Sequence, residues 1–265
     1  MLSAVPFMQK CNQITGRVHS VETLGALDGP GLRYIVFMQG CPLRCGYCHN
    51  PDTWDTEGGV LTTAEEQVSD ILRYRSYLSG GVTVSGGEPL LQPEFVCALF
   101  RECHTRGGLH CAVDTSGAIP LSACSSAVDE ADMILLDIKA FDDGTALSLT
   151  GSDTKNAWSL LDYCEQKKKP VWIRHVLVPG ITLFDRDDSG KLISSEEAFQ
   201  DSNPMLCSGA KRLAQYSCIE RTDLLPFHKM GEFKWEELGI KCHLRETPEP
   251  GDAAVEWSRK IFADR

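Results

Sequence analysis

The sequence predicts an α/β fold in which parallel strands are joined by helices that cross over outside the sheet. Three observations carry that reading. Short, β-rich apolar runs alternate with amphipathic stretches of helical period along most of the chain. The residues with chemical potential sit at or just past the C-terminal ends of those runs, where such folds assemble their sites. The length of 265 residues suits one sizeable domain, so residues 1–265 are read as a single domain, with 1–13 an N-terminal extension and about 181–203 an acidic insertion.

Ile14 to Glu22 reads as a short edge strand, and Asp28-Gly29-Pro30-Gly31 as a turn. Leu32 to Gln39 (LRYIVFMQ) is β-rich and mostly apolar, as expected for a buried strand, and a cysteine-rich loop follows it directly. Thr62-Thr63-Ala64-Glu65 reads as a capping box opening a helix with Val68, Ile71, Leu72 and Leu78 on one face. Val82 to Ser85 is the next strand, then a helix from Pro93 to Arg106 stopped by Gly107, with Phe95, Val96, Leu99, Phe100 and Cys103 as its stripe. Strands follow at His110 to Asp114 and Met133 to Ile138. The helix Asn156 to Lys168 ends in a basic run that suits the negative pole of its dipole. Val171 to Val178 is a strand, Leu206 to Tyr216 a helix, Cys218 to Leu225 the last strand, and Ala253 to Ala263 a terminal helix. Strand–helix alternation implies parallel strands with right-handed crossovers, and about six repeats are too few for a closed eight-fold barrel. Periodicity does not choose between an open sheet and a partial barrel.

With 26 basic and 37 acidic residues, the net charge of −11 argues against nucleic acid or an anionic membrane as a partner. No apolar run approaches the ~20 residues of a membrane span. Met1 to Gln13 lacks the charged start and long apolar stretch of a signal peptide, so a cytoplasmic, reducing and low-oxygen setting is expected, with organellar import left open. Twelve scattered cysteines in a chain this long point to metal chemistry rather than a disulfide framework.

Cys41, Cys45 and Cys48 stand at i, i+4 and i+7 around Pro42 and Gly46. Seven residues reach at most ~25 Å fully extended, and a turn brings the thiols far closer. Three convergent thiolates suit a cubane [4Fe–4S] cluster, which would leave one iron without a cysteine. An open coordination position marks a catalytic metal rather than a structural one. The rival is zinc, with His49 completing a Cys3His set, but no second C-x2-C pair is present, and the spacing favours the cluster.

Cys41-x3-Cys45-x2-Cys48 resembles the signature of the radical S-adenosylmethionine (SAM) superfamily. Asp28-Gly29-Pro30-Gly31, Gln39-Gly40-Cys41, Tyr47-Cys48-His49-Asn50 and Asp52-Thr53-Trp54-Asp55-Thr56 narrow the resemblance to the glycyl-radical-enzyme activases of the pyruvate formate-lyase type. It runs from about Ile14 to the C-terminal region. It implies a partial (β/α)6 barrel of parallel strands with outer helices, and it implies site residues. Cys41, Cys45 and Cys48 hold the cluster, while Tyr47, Cys48 and His49 flank SAM. Gly86 and Gly87, supported by Glu88, receive the SAM ammonium. Asp137, Ile138 and Lys139 form a strand-end SAM motif, and His228, in Leu224-Leu225-Pro226-Phe227-His228, contacts SAM. Asp114, Thr115 and Asp137 offer oxygens to a monovalent cation, which would offset their clustered charge. Arg174 and Asp28 meet the incoming substrate peptide, or SAM in the case of Arg174. The resemblance further implies that a flavodoxin- or ferredoxin-type donor reduces the cluster, that SAM is split to methionine and a 5′-deoxyadenosyl radical, and that this radical takes hydrogen from one glycine in a loop of pyruvate formate-lyase.

Independently of the resemblance, bare Gly86-Gly87 backbone at a strand exit admits a ligand or simply makes a turn. Asp137 and Lys139 point to the same side of a strand, and an arginine inside the apolar strand at Arg174 requires a partner. Two rival functions remain open: activation of another glycyl radical enzyme or synthesis on a small molecule, and a zinc-binding interaction module. The absence of an extra ferredoxin-like cysteine insert favours the pyruvate formate-lyase type. One stretch departs from the family pattern. Asp185 to Glu196 fits the EF-hand loop, with acidic or polar residues at positions one, three and five, Gly190 at six and Glu196 at twelve. Pro179-Gly180 leaves little room for an entering helix, so a solvated acidic loop is the favoured reading over a calcium site.

Overall fold

The computed structural model describes residues 14–263; the expectations for residues 1–13 lie outside them. The fold is α/β, with eight strands in one mostly parallel sheet that does not close. The chain divides into two compact units, residues 14–42 with 52–135, and residues 43–51 with 136–263.

In the first unit, β1 (Thr15–Gly25) pairs antiparallel with both β2 (Arg33–Met38) and β3 (Val60–Thr63). Sequence reading made β1 a short edge strand; it has 11 residues, and the four-residue β3 takes the edge instead. β3 escapes notice because Thr62 and Thr63 also read as a helix start. The connection between β1 and β2, residues 26–32, is too short for the crossover that a parallel pair needs, so the strands pair antiparallel. β2, β4 (Gly81–Gly86) and β5 (Cys111–Thr115) are parallel. The buried Tyr34, Ile35, Val36 and Met38 explain the unbroken apolar run in β2. β6 (Met133–Asp137) begins in this unit and ends in the second.

α1 (Ala64–Leu72) opens on a capping box one residue later than the sequence suggests. Thr63 Oγ1 accepts the Glu66 N–H at 3.1 Å, and Glu66 returns a bond to the Thr63 N–H at 2.8 Å. Val68 and Ile71 face inward, whereas Leu78 reaches the core from the turn beyond the helix. α2 (Pro93–Glu102) buries Phe95, Val96, Leu99 and Phe100, then loosens into a π-helical turn, Cys103–Gly107. Its stop is Gly108, at φ 54°, rather than Gly107. α3 (Leu121–Glu130), rich in small residues, has too weak a stripe to be seen in the sequence.

The second unit holds α4 (Asp143–Thr150), α5 (Lys155–Lys167), β7 (Val171–Leu177), α6 (Glu196–Ser202), α7 (Pro204–Leu213), β8 (Ile219–Pro226), α8 (Glu232–Glu237) and α9 (Asp252–Ala263). β7 and β8 are parallel. Leu149, Val178, Phe227 and Leu244 form a buried cluster, against which Tyr47, Val176 and Ile181 pack. The acidic insertion is organised by its own hydrogen bonds. Asp185, 2% exposed, accepts the Gly251 N–H at 3.0 Å, Asp187 Oδ1 accepts from Ser189 and Lys191, and Glu196 pairs with Lys260 at 2.6 Å as α6 begins. No helix among the described residues is long and apolar enough to cross a membrane.

Candidate active site

The chain enters the cysteine loop under tight control. Gly40 N–H donates to Thr53 O at 2.7 Å, and the Gln39 amide reaches Asp52 O and Asp55 O at 3.1 and 2.8 Å. Gln92 in turn donates to Gln39 O at 2.8 Å. Beside this entry, β4 exits through Gly86 and Gly87. Gly86 has φ 107°, and a Cβ there would lie 2.3 Å from Met38 N; a Cβ on Gly87 would lie 2.2 Å from Gly40 O. The glycines are thus demanded by the chain's own backbone: Gly87 N–H donates to Met38 O at 2.9 Å and Glu88 N–H to Gly40 O at 2.8 Å.

Glu88 is 0% exposed, and its carboxylate accepts four hydrogen bonds. Leu90 N–H (3.1 Å) and Thr115 Oγ1 (2.6 Å) reach one oxygen; the Ser116 N–H (3.0 Å) and hydroxyl reach the other. Burial pushes its pKa up, against the pull of these donors. Glu88 therefore ties the Gly86-Gly87 exit to the end of β5, where Ser85 Oγ donates to Asp114 Oδ2 at 2.7 Å. The Thr115 hydroxyl is engaged by Glu88 and by the Gly117 N–H, which it accepts at 2.9 Å.

Asp28 lies in the connection between the antiparallel strands β1 and β2, and its carbonyl accepts from Thr83 Oγ1, midway along β4, at 2.6 Å.

In the second unit, Cys48 N–H donates to Cys45 O at 3.0 Å, closing a turn between these two thiol-bearing residues. Arg44 and Gly46 N–H groups anchor the turn to Thr150 O and Leu149 O, the end of α4, at 2.8 and 3.0 Å. Tyr47 packs on the core with its hydroxyl buried and unpartnered among the described residues, and burial pushes its pKa up. Lys139 Nζ stands 5.8 Å from the Tyr47 ring centroid and 2.8 Å from Asp137 Oδ2. Arg174 Nε is 3.8 Å from the other Asp137 oxygen, which supplies the partner that an arginine in this strand requires. Burial alone would raise the Asp137 pKa, but Lys139 and Arg174 hold it below the ordinary carboxylate value. Ile138 is buried between them, its N–H donating to Arg174 O at 3.0 Å and its carbonyl accepting from His175 Nδ1 at 2.7 Å. The His49 and His228 rings lie 4.3 Å apart, and His49 Nε2 approaches His228 O at 3.4 Å.

Sequence reasoning missed Gln39, Gln92, Ser116 and Trp235, which hold these residues in place. Gln39 lies in the Gln39-Gly40-Cys41 stretch and Ser116 directly follows Asp114 and Thr115, so both had a local signal; Gln92 and Trp235 carry none.

A family model described as the radical SAM superfamily matches residues 35–193, more than half of the chain. The chain belongs to the radical SAM superfamily. It is 42% identical over 252 residues to a pyruvate formate-lyase-activating enzyme of Staphylococcus epidermidis, covering 91% of this chain and 93% of the relative. The enzyme of the same description from Staphylococcus aureus gives the same identity and coverage. Within the radical SAM superfamily the chain is therefore a member of the pyruvate formate-lyase-activating enzyme family. Among solved structures, a domain of pyruvate-formate lyase-activating enzyme from Bacteroides vulgatus has a TM-score of 0.51 at 22% identity, covering 70% of this chain and 94% of that one. Streptococcus suis SuiB has a TM-score of 0.55 at 14% identity, covering 85% of this chain and 44% of that one. Both show the radical SAM fold. As a radical SAM enzyme, the chain uses SAM and a [4Fe–4S] cluster.

Proposed function

We propose that the protein installs the glycyl radical of pyruvate formate-lyase. The observation that carries this reading is the Cys45–Cys48 turn, with both thiols on one short loop, in a chain 42% identical to enzymes described as activating pyruvate formate-lyase. The donor set fits the group: three thiols within eight residues, with no second C-x2-C pair of the kind a zinc site uses. Cys41, Cys45 and Cys48 would hold the cluster, leaving one iron for the amine and carboxylate of SAM. When bound, the cluster would supply the one-electron chemistry by which SAM is cleaved and a hydrogen atom removed from the partner's glycine.

The protein's own part is placement and exclusion of water. Glu88 stiffens the Gly86-Gly87 exit, so that its backbone can accept from the SAM ammonium without reorganising. Asp137, kept ionised by Lys139 and Arg174, offers a fixed negative charge, and with Asp114 and Thr115 it is our choice of monovalent-cation ligand. Tyr47, His49 and His228 present flat faces for the adenosyl group. A glycine is a fitting target because its bare backbone admits close approach. Arg174 and Asp28 are the residues assigned to the glycine-bearing loop. A flavodoxin- or ferredoxin-type protein is the one-electron donor, and the cytoplasm the compartment.

The test is anaerobic incubation of iron- and sulfide-loaded, reduced protein with SAM and pyruvate formate-lyase. We expect 5′-deoxyadenosine and a glycyl doublet by electron paramagnetic resonance (EPR). Zinc without sulfide, or 5′-deoxyadenosine with no glycyl signal on this partner, overturns the reading.

A further inference from the structure

After β8 the chain folds back onto the end of the cysteine loop and touches three successive residues there. The indole N–H of Trp235 donates to Cys48 O at 2.8 Å. Gly231 lies against His49, so closely that a Cβ would fall 2.5 Å from His49 Cα. Lys234 Nζ donates to Asn50 Oδ1 at 2.9 Å. The short helix α8 that carries Lys234 and Trp235 is braced from behind: Arg245 Nε meets Glu232 at 2.6 Å and its Nη2 meets Glu236 at 2.6 Å. Trp235 itself is 4% exposed, so its ring and its hydrogen bond are shielded from water.

We propose that α8 is a clasp on the third cysteine and that Trp235 is a positioning residue for Cys48. The inference rests on the reading above, in which Cys48 is an iron ligand. On its N-terminal side Cys48 is fixed by its N–H bond to Cys45 O; on its C-terminal side the described hydrogen bond to its carbonyl comes from Trp235. Together they fix both peptide planes flanking the Cys48 Cα, and so the direction of its Cα–Cβ bond. A cluster ligand whose sulfur direction is set in advance costs less ordering when metal binds. Trp235 touches no reacting atom; it acts through Cys48.

The test uses the full chain, anaerobically reconstituted, and the Trp235→Phe variant, which keeps an aromatic ring in place and deletes the N–H together with part of the buried indole. Loss of one buried hydrogen bond is expected to accelerate amide hydrogen exchange at Cys48, whose N–H is bonded to Cys45 O, in the metal-free protein about five-fold. It is also expected to speed iron release to a chelator from the loaded protein by about the same factor and to broaden the EPR spectrum of the reduced cluster. Lys234→Met, which leaves the buried indole in place, should move all three readouts in the same direction but less. Unchanged exchange in Trp235→Phe overturns the clasp. Faster exchange with unchanged iron release and EPR overturns the positioning role and leaves only a loop contact. A parent protein that never assembles a cluster, while exchange still responds to Trp235→Phe, sinks the functional reading and with it Trp235's part in metal binding, and is distinguishable from failure of the clasp itself.

Discussion

Replacing Gly87 by alanine is the sharpest test of how β4 meets the entry to the cysteine loop. The added Cβ would stand 2.2 Å from Gly40 O, 2.8 Å from Gly40 C and 3.3 Å from Met38 O, and all three are backbone atoms that cannot swing aside. Relieving the closest contact to 3.0 Å requires the two chain segments to part by about 0.8 Å. That displacement would stretch the Glu88 N–H to Gly40 O bond from 2.8 Å, and the Gly87 N–H to Met38 O bond from 2.9 Å, beyond useful range. Two buried bonds lost with their groups left unsatisfied cost about 2–4 kcal/mol, which for a chain of this size lowers the melting midpoint by about 5–15 °C. Gly144→Ala is the control, because its Cβ meets a single side-chain atom, the capping oxygen Asp142 Oδ1, at 3.3 Å and no backbone. The assay is thermal unfolding of both metal-free variants under anaerobic conditions, followed by circular dichroism. A Gly87→Ala midpoint no lower than that of Gly144→Ala refutes the packing argument and returns Gly87 to the status of an ordinary turn glycine.

Three further outcomes follow from named groups. Glu88→Gln places an amide N–H2 where one carboxylate oxygen now accepts a backbone N–H and a hydroxyl; the hydroxyl can turn to accept but the backbone N–H cannot, so at least one of the four bonds fails; about 1–3 kcal/mol should be lost, and an unchanged urea midpoint would contradict the buttress. His175 is buried, donates Nδ1–H to Ile138 O, and is held by burial at a pKa of about 4 against an ordinary 6.5. The unfolded chain therefore binds a proton at 6.5 that the folded chain refuses until about 4, so stability falls as pH drops through that window, by about 3 kcal/mol in all; the unfolding free energy of the parent minus that of His175→Phe should fall by that amount from pH 7.5 to 4, and a pH-independent difference would rule it out. Calcium titration should give no heat, because Asp185 is committed to Gly251 and Glu196 to Lys260; Glu196→Gln should shift stability by no more than about 0.5 kcal/mol, the pair being exposed, and a binding heat abolished by that substitution would restore the EF-hand reading.

Much of the fold was legible because its signals are local. The parallel strands announce themselves as continuous apolar runs, and the helices that were seen, α1, α2, α5, α7 and α9, carry real apolar stripes. What stayed hidden depends on partners far along the chain. β3 is four residues long and becomes a strand only because β1 pairs with it. Arg33, wholly buried inside β2, has no local excuse. Its guanidinium is satisfied by Thr83 Oγ1 at 2.6 Å, Val82 O at 2.5 Å, Pro30 O at 3.1 Å, Gly80 O and the His110 ring, groups some three to seventy-seven residues away, and burial lowers its pKa to about 10. A strand that reads as hydrophobic can thus hold a charge, provided that strand entries on either side turn their carbonyls inward to meet it.

The site divides along the same line. Residues whose chemistry is their own were readable: three thiols in one loop, a strand-end Asp137 and Lys139, an arginine at 174 that had to find a carboxylate and found Asp137. Residues whose role is to hold others were not, because a glutamine or a tryptophan carries no mark of what it will hold. Asp28 stands between the two cases: its motif is conspicuous and announces a turn, but only the fold shows that its carbonyl accepts from Thr83 Oγ1, 55 residues along the chain. The supporting residues also set the limits of substitution. Gly86 and Gly87 were read as openings for a ligand, yet the first groups to occupy the space a side chain would need are Met38 N and Gly40 O. A side chain there would displace the backbone that delivers Cys41 before it met any cosubstrate, so loss of SAM binding in such a variant would report on the loop entry as much as on the ligand, and the melting comparison with Gly144→Ala is what separates the two.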